Sequence, residues 1–211
     1  MPNIFLLDFL GLVLAILFGL IVFLMGGINF LLIFLLFLFL SVWATKYGYQ
    51  KKREIGLYEH ERSWENVLSN GIVPTLTVFL SFAGFNPIGA YIGSVAAITA
   101  DKFASELGVL GPPPINLANF KKARNGQSGC ISPFGTYMSF VGALLIGIFV
   151  HFLFPNLIMN WKILLIGLIG FSGSLADSLA GVLEEKGIGT KSTSNVICSL
   201  VGAVLGLAFI L

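Results

Sequence analysis

Long apolar runs separated by short polar segments dominate this chain. Seven runs are long enough, or nearly long enough, to cross a bilayer, which takes about 20 apolar residues. They cover residues 4–25, 28–44, 67–85, 87–108, 132–154, 162–183 and 195–211. This pattern predicts an all-α protein: a polytopic transmembrane helical bundle of about seven helices that forms a single domain over residues 1–211. The first run has no basic n-region and no cleavage site, so we interpret it as a retained helix and not as a signal peptide.

Two of the runs contain polar interruptions. Asn70, Gly71 and Pro74 interrupt the third run, and the fourth becomes mixed in character towards its end. Irregular backbone at membrane depth is tolerated only where it is buried in protein or lines a polar cavity. Either run could therefore be a broken or re-entrant helix.

Composition supports the membrane interpretation and excludes other classes. The chain is 56% hydrophobic and 10% charged, whereas a soluble domain has roughly a quarter of its residues charged. A net charge of +2 without an Arg-rich stripe argues against a nucleic-acid partner. Cys130 and Cys198 lack metal-ligand spacing. His60 and His151 are isolated, so nucleophilic catalysis of the Ser-His-Asp type is set aside.

The charges also predict the orientation of the bundle. With the N-terminus in the cytoplasm, the inner segments are 1–3, 45–66, 101–131 and 184–194, and of the 12 Lys and Arg residues only Lys162 falls outside them. Basic residues concentrate on the cytoplasmic side of membrane proteins. The acidic residues lie towards the same side. We therefore expect a multi-pass protein of the cell membrane with its active site facing the cytoplasm.

Asp101 is the first candidate for chemistry. A carboxylate in a membrane helix is costly and normally faces a cavity or a partner. Asp101 and Glu106 could hold a divalent cation, although five helical residues apart they share no face unless the helix unwinds near Ser105 or one acts through water. Alternatively, Asp101 is an interfacial helix-end residue and Lys102 and Glu106 form a surface pair.

Asp177 lies in "GFSGSLADSLAG", where glycines and serines would let another backbone approach closely. This could be a packing seam with one polar residue. It could also bring Asp177 beside Asp101, and two adjacent carboxylates repel each other unless a cation lies between them. "ADKFAS" and "ADSLAG" resemble each other. The similarity could reflect a duplicated half-site or could arise by chance. The candidate catalytic and Mg²⁺-binding residues are Asp101, Glu106 and Asp177.

Two polar segments are candidates for phosphate recognition. In "KKARNGQSGCISPFG" a glycine-serine turn enters a helix, and such a turn offers backbone N–H groups to an anion. In "HERSWENVLSNG" Arg62, Asn66 and Asn70 share a helical face, which could line a lipid head-group site. Alternatively, the segment is an ordinary solvated loop with Ser63 as the N-cap of the helix. The candidate nucleotide- and phosphate-binding residues are Lys102, Lys121, Lys122, Arg124, Asn125, Gly126, Ser128, Gly129 and Ser132. The candidate lipid-phosphate-binding residues are Arg62, Glu65, Asn66, Asn70, Ser178 and Asn195.

The order of these motifs resembles a known family. "RSWENVLSNG", "ADKFASELG", "NGQSGCISPFG", "GSLADSLAG" and "TSNVICSLVGA" resemble the multi-pass membrane family that includes phytyl-phosphate kinase and its archaeal and bacterial relatives, over roughly residues 60–205. "DKFASELG" is also distantly similar to CTP-dependent dolichol and phytol kinases. The resemblance implies Mg²⁺-dependent transfer of the CTP γ-phosphate to an isoprenoid monophosphate, giving the diphosphate and CDP.

The resemblance also implies roles for individual residues. Asp101, Glu106 and Asp177 match the acidic positions, Gly126, Ser128, Gly129 and Ser132 the glycine-serine loop, and Arg62, Glu65, Asn66 and Asn70 the segment before the third helix. Two residues depart from the pattern. Lys102 stands where a small hydroxyl residue is more usual, and Gln127 stands where threonine is usual, so the role of Lys102 stays open.

The expected partners are CTP, an isoprenoid monophosphate and membrane lipids, with no nucleic acid and with the oligomeric state left open. One alternative is an ion-coupled transporter or flippase, in which sites lie near the midplane. The one-sided charge argues against it. The other is a cytidylyltransferase that makes a CDP-lipid, and it would release pyrophosphate.

Overall fold

A computed structural model describes residues 7–58 and 62–210. Eight α-helices lie in these ranges: α1 Phe9–Gly26, α2 Ile28–Lys46, α3 Tyr49–Glu54, α4 Trp64–Thr77, α5 Ile88–Gly108, α6 Pro133–Leu153, α7 Asn160–Glu184 and α8 Lys191–Phe209. A 3-10 turn, Val78–Ala83, continues α4, and two short strands are β1 Ile115–Asn116 and β2 Cys130–Ile131. The predicted polytopic helical bundle is confirmed. Residues 4–6 and 211 of the predicted helices lie outside the described ranges, as does His60.

Six helical segments of the described chain are long and apolar enough to span a bilayer: α1, α2, α4 with its 3-10 turn, α6, α7 and α8. Helix α5 falls short of that apolarity because it is the central helix of the bundle. It packs against α2, α4, α6, α7 and α8, and residues 89–103 are all buried. A helix enclosed by protein needs no lipid-compatible surface, so α5 can contain Asp101 and Lys102.

Glycines set the distance between α5 and α8. A Cβ added to Gly93 would lie 2.1 Å from the carbonyl oxygen of Gly202, and one added to Gly206 would lie 2.1 Å from that of Gly89. Since real side chains do not tolerate such contacts, the two backbones pack directly against each other at these positions. This is the close approach that small residues permit between membrane helices.

The third and fourth apolar runs are not broken. Helix α4 continues through Asn70, Gly71 and Pro74 and tightens into the 3-10 turn only after Thr77. Helix α5 is continuous to Gly108. The prediction of broken or re-entrant helices is therefore wrong, because buried packing on both sides keeps the polar and proline-containing turns helical.

Asp8 connects the beginnings of α1 and α4. Its Oδ1 accepts a hydrogen bond from the N–H of Gly11 at 2.6 Å, and its Oδ2 accepts one from the N–H of Trp64 at 3.0 Å. Ser63 occupies the N-cap position of α4, but its side chain does not accept a hydrogen bond from a backbone N–H of the helix. One carboxylate thus satisfies free amide groups of two helices.

The segment between α5 and α6 folds back onto the bundle. Antiparallel strands β1 and β2 pair Ile115 with Ile131 and Asn116 with Cys130. A Cβ added to Gly181 would lie 2.4 Å from the backbone nitrogen of Gly129, so the loop packs directly on the end of α7. The sequence pattern predicted neither strand, and this contact holds the glycine-serine turn beside α7.

Candidate functional site

A polar pocket of about 360 Å³ lies where the ends of α5 and α7 meet the start of α8 and the loop before α6. We call it the head pocket. Asp101, Lys102, Asp177 and Lys191 line it, as does the glycine-serine turn of residues 125–132. It is the polar cavity that the carboxylates of α5 and α7 were expected to face.

Asp101 and Asp177 come from separate helices and lie side by side in this pocket. Both are buried, with exposed fractions of 4% and 6%, and their carboxyl groups are close enough to interact electrostatically. The Nζ of Lys191 donates to Oδ2 of Asp177 at 2.7 Å. Within the described ranges Oδ1 of Asp177 is buried and has no hydrogen-bond partner. The pair therefore retains an oxygen that can bind a further group.

Lys191 is a pocket residue that the sequence analysis missed. It is the first residue of α8, directly after the N-cap Thr190, which forms a capping box with Thr193. The helix dipole disfavours a cation in the first turn, and the carboxylate of Asp177 offsets that cost here. Its side chain is 47% exposed, which leaves the ammonium accessible from the pocket.

Glu106 belongs to a different cluster. Its Oε1 accepts hydrogen bonds from Thr45 at 2.8 Å and from Arg62 at 3.2 Å, and its Oε2 accepts one from Lys52 at 2.9 Å. The side chain borders the head pocket, but both of its oxygens are already bonded. We call these four residues the Glu106 cluster.

The structure therefore does not bring the three predicted Mg²⁺-binding carboxylates together, because Glu106 is bonded elsewhere. Because α5 stays helical past Ser105, it directs Asp101 and Glu106 to different neighbours. Over residues 7–58 and 62–210, no group of three His, Cys, Asp or Glu side chains is placed to hold a metal. The alternative of an exposed Lys102–Glu106 pair also fails, since Lys102 is buried.

Lys52 and Arg62 are cations of this cluster and are both buried. Lys52 also donates to the carbonyl oxygens of Ala44 at 2.7 Å and Thr45 at 3.1 Å, which are free groups at the end of α2. Arg62 also donates to the hydroxyl of Thr45. The structure thus gives Arg62 an intramolecular carboxylate partner, and its role in binding a lipid phosphate stays a prediction.

The glycine-serine turn borders the head pocket, as its sequence suggested for a phosphate-binding turn. Gly126 and Gly129 have φ of +81° and +66°, which favours glycine. Asn125, Gly126, Ser128, Gly129 and Ser132 all line the pocket. Ser132 also caps α6, accepting from the N–H of Gly135 at 3.0 Å.

The basic residues before this turn are not brought to the carboxylate pair. Lys121, Lys122 and Arg124 are exposed, and the latter two line a separate open pocket together with Glu185. Their placement with the acidic pair is therefore a wrong prediction. The cations that do line the head pocket are Lys102 and Lys191.

Glu184 is a second residue that the sequence analysis missed. Its two carboxylate oxygens accept hydrogen bonds from Ser128 at 2.9 Å and from Ser194 at 3.2 Å. It thereby joins the glycine-serine turn to the start of α8. No motif distinguished it from the neighbouring Glu185, which accepts from Gln127 at 2.9 Å.

The residues predicted for a lipid phosphate separate into two groups. Asn66 and Ser178 line the head pocket, and Asn66 accepts a hydrogen bond from Lys102 at 3.3 Å. Glu65 is exposed and accepts from Ser63 at 3.0 Å. Asn195 is buried and donates to Ser69 at 3.1 Å, which is a contact between α8 and α4 outside the pocket lining.

Cys130 lines the head pocket and lies outside the helices. Burial, and then the negative charge of Glu185, raise the pKa of its thiol. The thiol is therefore protonated at neutral pH and is a weak nucleophile.

Comparison with known proteins identifies relatives whose names assign no reaction. The family described as integral membrane protein DUF92 matches residues 4–206 of the chain. An uncharacterized membrane protein of Methanocaldococcus jannaschii, MJ0933, is 40% identical over 184 residues, which cover 85% of this chain and 76% of that protein. Protein PGR of Arabidopsis thaliana is 28% identical over 185 residues, covering 74% of this chain and 64% of PGR. No solved structure matches.

Proposed function

We propose that this chain, which belongs to the integral membrane protein family DUF92, is a CTP-dependent isoprenoid-phosphate kinase. It transfers the γ-phosphate of CTP to an isoprenoid monophosphate of the phytyl or geranylgeranyl type, giving the diphosphate and CDP. The reaction takes place at the cytoplasmic face of the cell membrane. The choice of nucleotide and acceptor rests on the motif resemblance.

The observation that carries this proposal is the buried pair of Asp101 and Asp177 beside a glycine-serine turn. Two helices bring these carboxylates together in one polar pocket, although their repulsion makes that arrangement costly. Such a pair suits a cation-assisted reaction of phosphates, in which charge must be neutralised before two polyanions can approach.

The pair fits Mg²⁺. This ion is usually bound by one or two carboxylates together with waters and substrate phosphates. Asp101 and Asp177 would hold it, and Oδ1 of Asp177 has no competing partner among the described residues. When bound, Mg²⁺ would neutralise negative charge on the phosphoryl groups.

The remaining pocket residues bind and orient the phosphates. Lys102 and Lys191 place ammonium groups in the pocket, and Ser128 and Gly129 border it with the turn. Lys191 neutralises Asp177 before the substrates arrive and can donate to a phosphate oxygen from the same position. Its half-exposed side chain can move between the two acceptors.

The reaction requires no general base. A phosphate monoester has its second pKa near 6, so the acceptor is already largely a dianion at neutral pH. One of its oxygens attacks the γ-phosphorus of CTP, and the bond from that phosphorus to the β,γ-bridging oxygen breaks as CDP leaves. The chain's task is to align the two phosphates and to exclude water as the competing nucleophile.

Product analysis tests this proposal. We expect the purified protein in lipid nanodiscs with CTP, Mg²⁺ and geranylgeranyl phosphate to produce geranylgeranyl diphosphate and CDP in equal amounts. Pyrophosphate with a CDP-lipid would instead establish a cytidylyltransferase. No nucleotide turnover, together with movement of the lipid phosphate between leaflets, would establish a carrier. Either result would overturn the kinase.

A further inference from the structure

A third pocket, smaller than the head pocket, lies between α1, α2 and α4, and we call it the tail slot. Its volume is about 70 Å³. A single water molecule needs only about 10–15 Å³, so the slot can hold a larger group. Ala15 and Gly19 of α1 and Phe34 and Leu38 of α2 form its apolar part. The small residues on α1 leave a gap beside the larger ones on α2. This apolar lining suits a hydrocarbon chain.

The tail slot ends at the head pocket. Asn66 and Lys102 line both cavities, and the hydrogen bond between their side chains lies at the junction. An amphiphile whose chain lies in the slot would therefore present its polar end to Lys102. A cation at that point favours an anionic end.

The polar end of the slot contains two buried polar atoms that make no hydrogen bond to the described residues. The hydroxyl of Ser41 and Oδ1 of Asn70 are buried and find no hydrogen-bond partner in the part of the chain that the structure describes. Both residues line the slot. Buried polar groups are normally satisfied, so these two indicate a polar ligand atom or a water that accompanies it.

The other end of the slot reaches the outer surface of the bundle. Leu35 lines the slot and is 48% exposed. On α1 the neighbouring residues Ile16 and Leu20 are also exposed apolar side chains. A lipid that entered sideways between α1 and α2 would therefore reach the slot without crossing the polar face.

We infer that the tail slot binds the first isoprene units of an isoprenoid monophosphate, with the phosphate next to Lys102 at the junction with the head pocket. This inference rests on the proposed function, because it places the acceptor lipid of that reaction. It assigns the chain to α1 and α2 and the phosphate to the junction of the two pockets. The nucleotide then occupies the rest of the head pocket.

Filling the slot tests the inference. A Cβ added to Gly19 meets only Leu31 Cδ1 at 3.6 Å, an ordinary contact, so the backbone tolerates a larger residue there. We expect Gly19→Leu to raise KM for geranylgeranyl phosphate by roughly 10-fold or more, with KM for CTP unchanged. Leu17→Phe, at an exposed position of the same helix outside the slot lining, is the matched control and should behave as wild type.

A binding measurement separates this inference from the kinase itself. A geranylgeranyl phosphate analogue with a diazirine on its first isoprene unit should cross-link the wild-type protein at residues 15–19 or 34–38, mapped by mass spectrometry. Gly19→Leu should reduce that labelling, and the milder Gly19→Ala should reduce it less. Labelling of the slot without CDP formation would support the slot as the lipid-binding site and would overturn the proposed kinase activity. CDP formation with labelling elsewhere would overturn the slot. Equal protection by phosphatidic acid would also overturn it, since the slot would then bind any chain with a phosphate.

Discussion

Two carboxylates of α5, only five residues apart, have different surroundings. Glu106 accepts hydrogen bonds from Thr45, Lys52 and Arg62, which occupy both of its oxygens. Asp101 instead faces another acid, Asp177, one of whose oxygens is buried without a partner in the described chain. A saturated carboxylate, whose oxygens are all hydrogen-bonded, stabilises the fold. An unsaturated pair, which keeps an oxygen without a hydrogen bond, can bind a further group.

The largest expected effect comes from neutralising the unsaturated pair. Asp101→Asn or Asp177→Asn should lower kcat by about 10³-fold or more, the scale on which charge stabilisation acts in phosphoryl transfer. The melting temperature should stay the same or rise, because one of two repelling carboxylates is gone. Steady-state kinetics and thermal unfolding in detergent measure both quantities. Glu65→Gln, on an exposed residue, is the control. Wild-type turnover in both variants would refute the assignment of the pair.

The saturated carboxylate should give the opposite result. Glu106→Gln leaves Lys52 and Arg62 buried without their counter-charge, and breaking a buried pair costs about 3–5 kcal/mol. For a chain of this size the melting temperature then falls by about 2–4 °C per kcal/mol. The turnover of the molecules that remain folded should change much less. A full loss of turnover at an unchanged melting temperature would instead show that Glu106 takes part in the reaction.

Lys191 should show an intermediate effect. Lys191→Met removes one donor to the phosphates, which we expect to lower kcat by about 10²-fold. Its half-exposed bond to Asp177 contributes at most about 1 kcal/mol to stability. Lys191→Arg should restore part of the activity, since it keeps the charge. Unfolding curves that shift strongly for Lys191→Met, with normal kcat, would make it a structural residue.

The smallest effect concerns Cys130, which reports on the head pocket. In a Cys198→Ala background, N-ethylmaleimide should label Cys130 slowly at neutral pH. The raised pKa of the thiol shifts the formation of its thiolate to higher pH, so the labelling rate should climb only above the usual range for cysteine. CTP with Mg²⁺ should slow labelling further. A fast reaction at neutral pH, unaffected by CTP, would place Cys130 outside the nucleotide's surroundings.

The helices were largely readable from the sequence. The predicted run 132–154 corresponds to α6, Pro133–Leu153, and the run 162–183 to α7, Asn160–Glu184. Spanning a bilayer imposes a length and an apolar composition that a sequence displays directly. The polar end of α5 was misread as a break because its composition reflects burial in protein, which a hydropathy pattern does not separate from irregular structure.

The site was only partly readable. Asp101 and Asp177 were identified because a carboxylate inside an apolar run is rare and costly. Their separation from Glu106 depends on which neighbours surround α5, and those neighbours come from α2 and the segment before α4. Lys52 was counted only among the basic residues of the inner segment 45–66, since its burial depends on the short helix α3. Lys191 depended on the distance between α7 and α8, which no local pattern encodes.

The carboxylate of Asp8 has a consequence for the path of a lipid. By binding the N–H groups of Gly11 and Trp64 together, it fastens the beginning of α1 to that of α4. Separating those two helix starts would break both hydrogen bonds, whereas α1 and α2 are joined by the turn at Gly27, which has a positive φ. Lipid entry between α1 and α2, as proposed above, would therefore leave the Asp8 link between α1 and α4 intact.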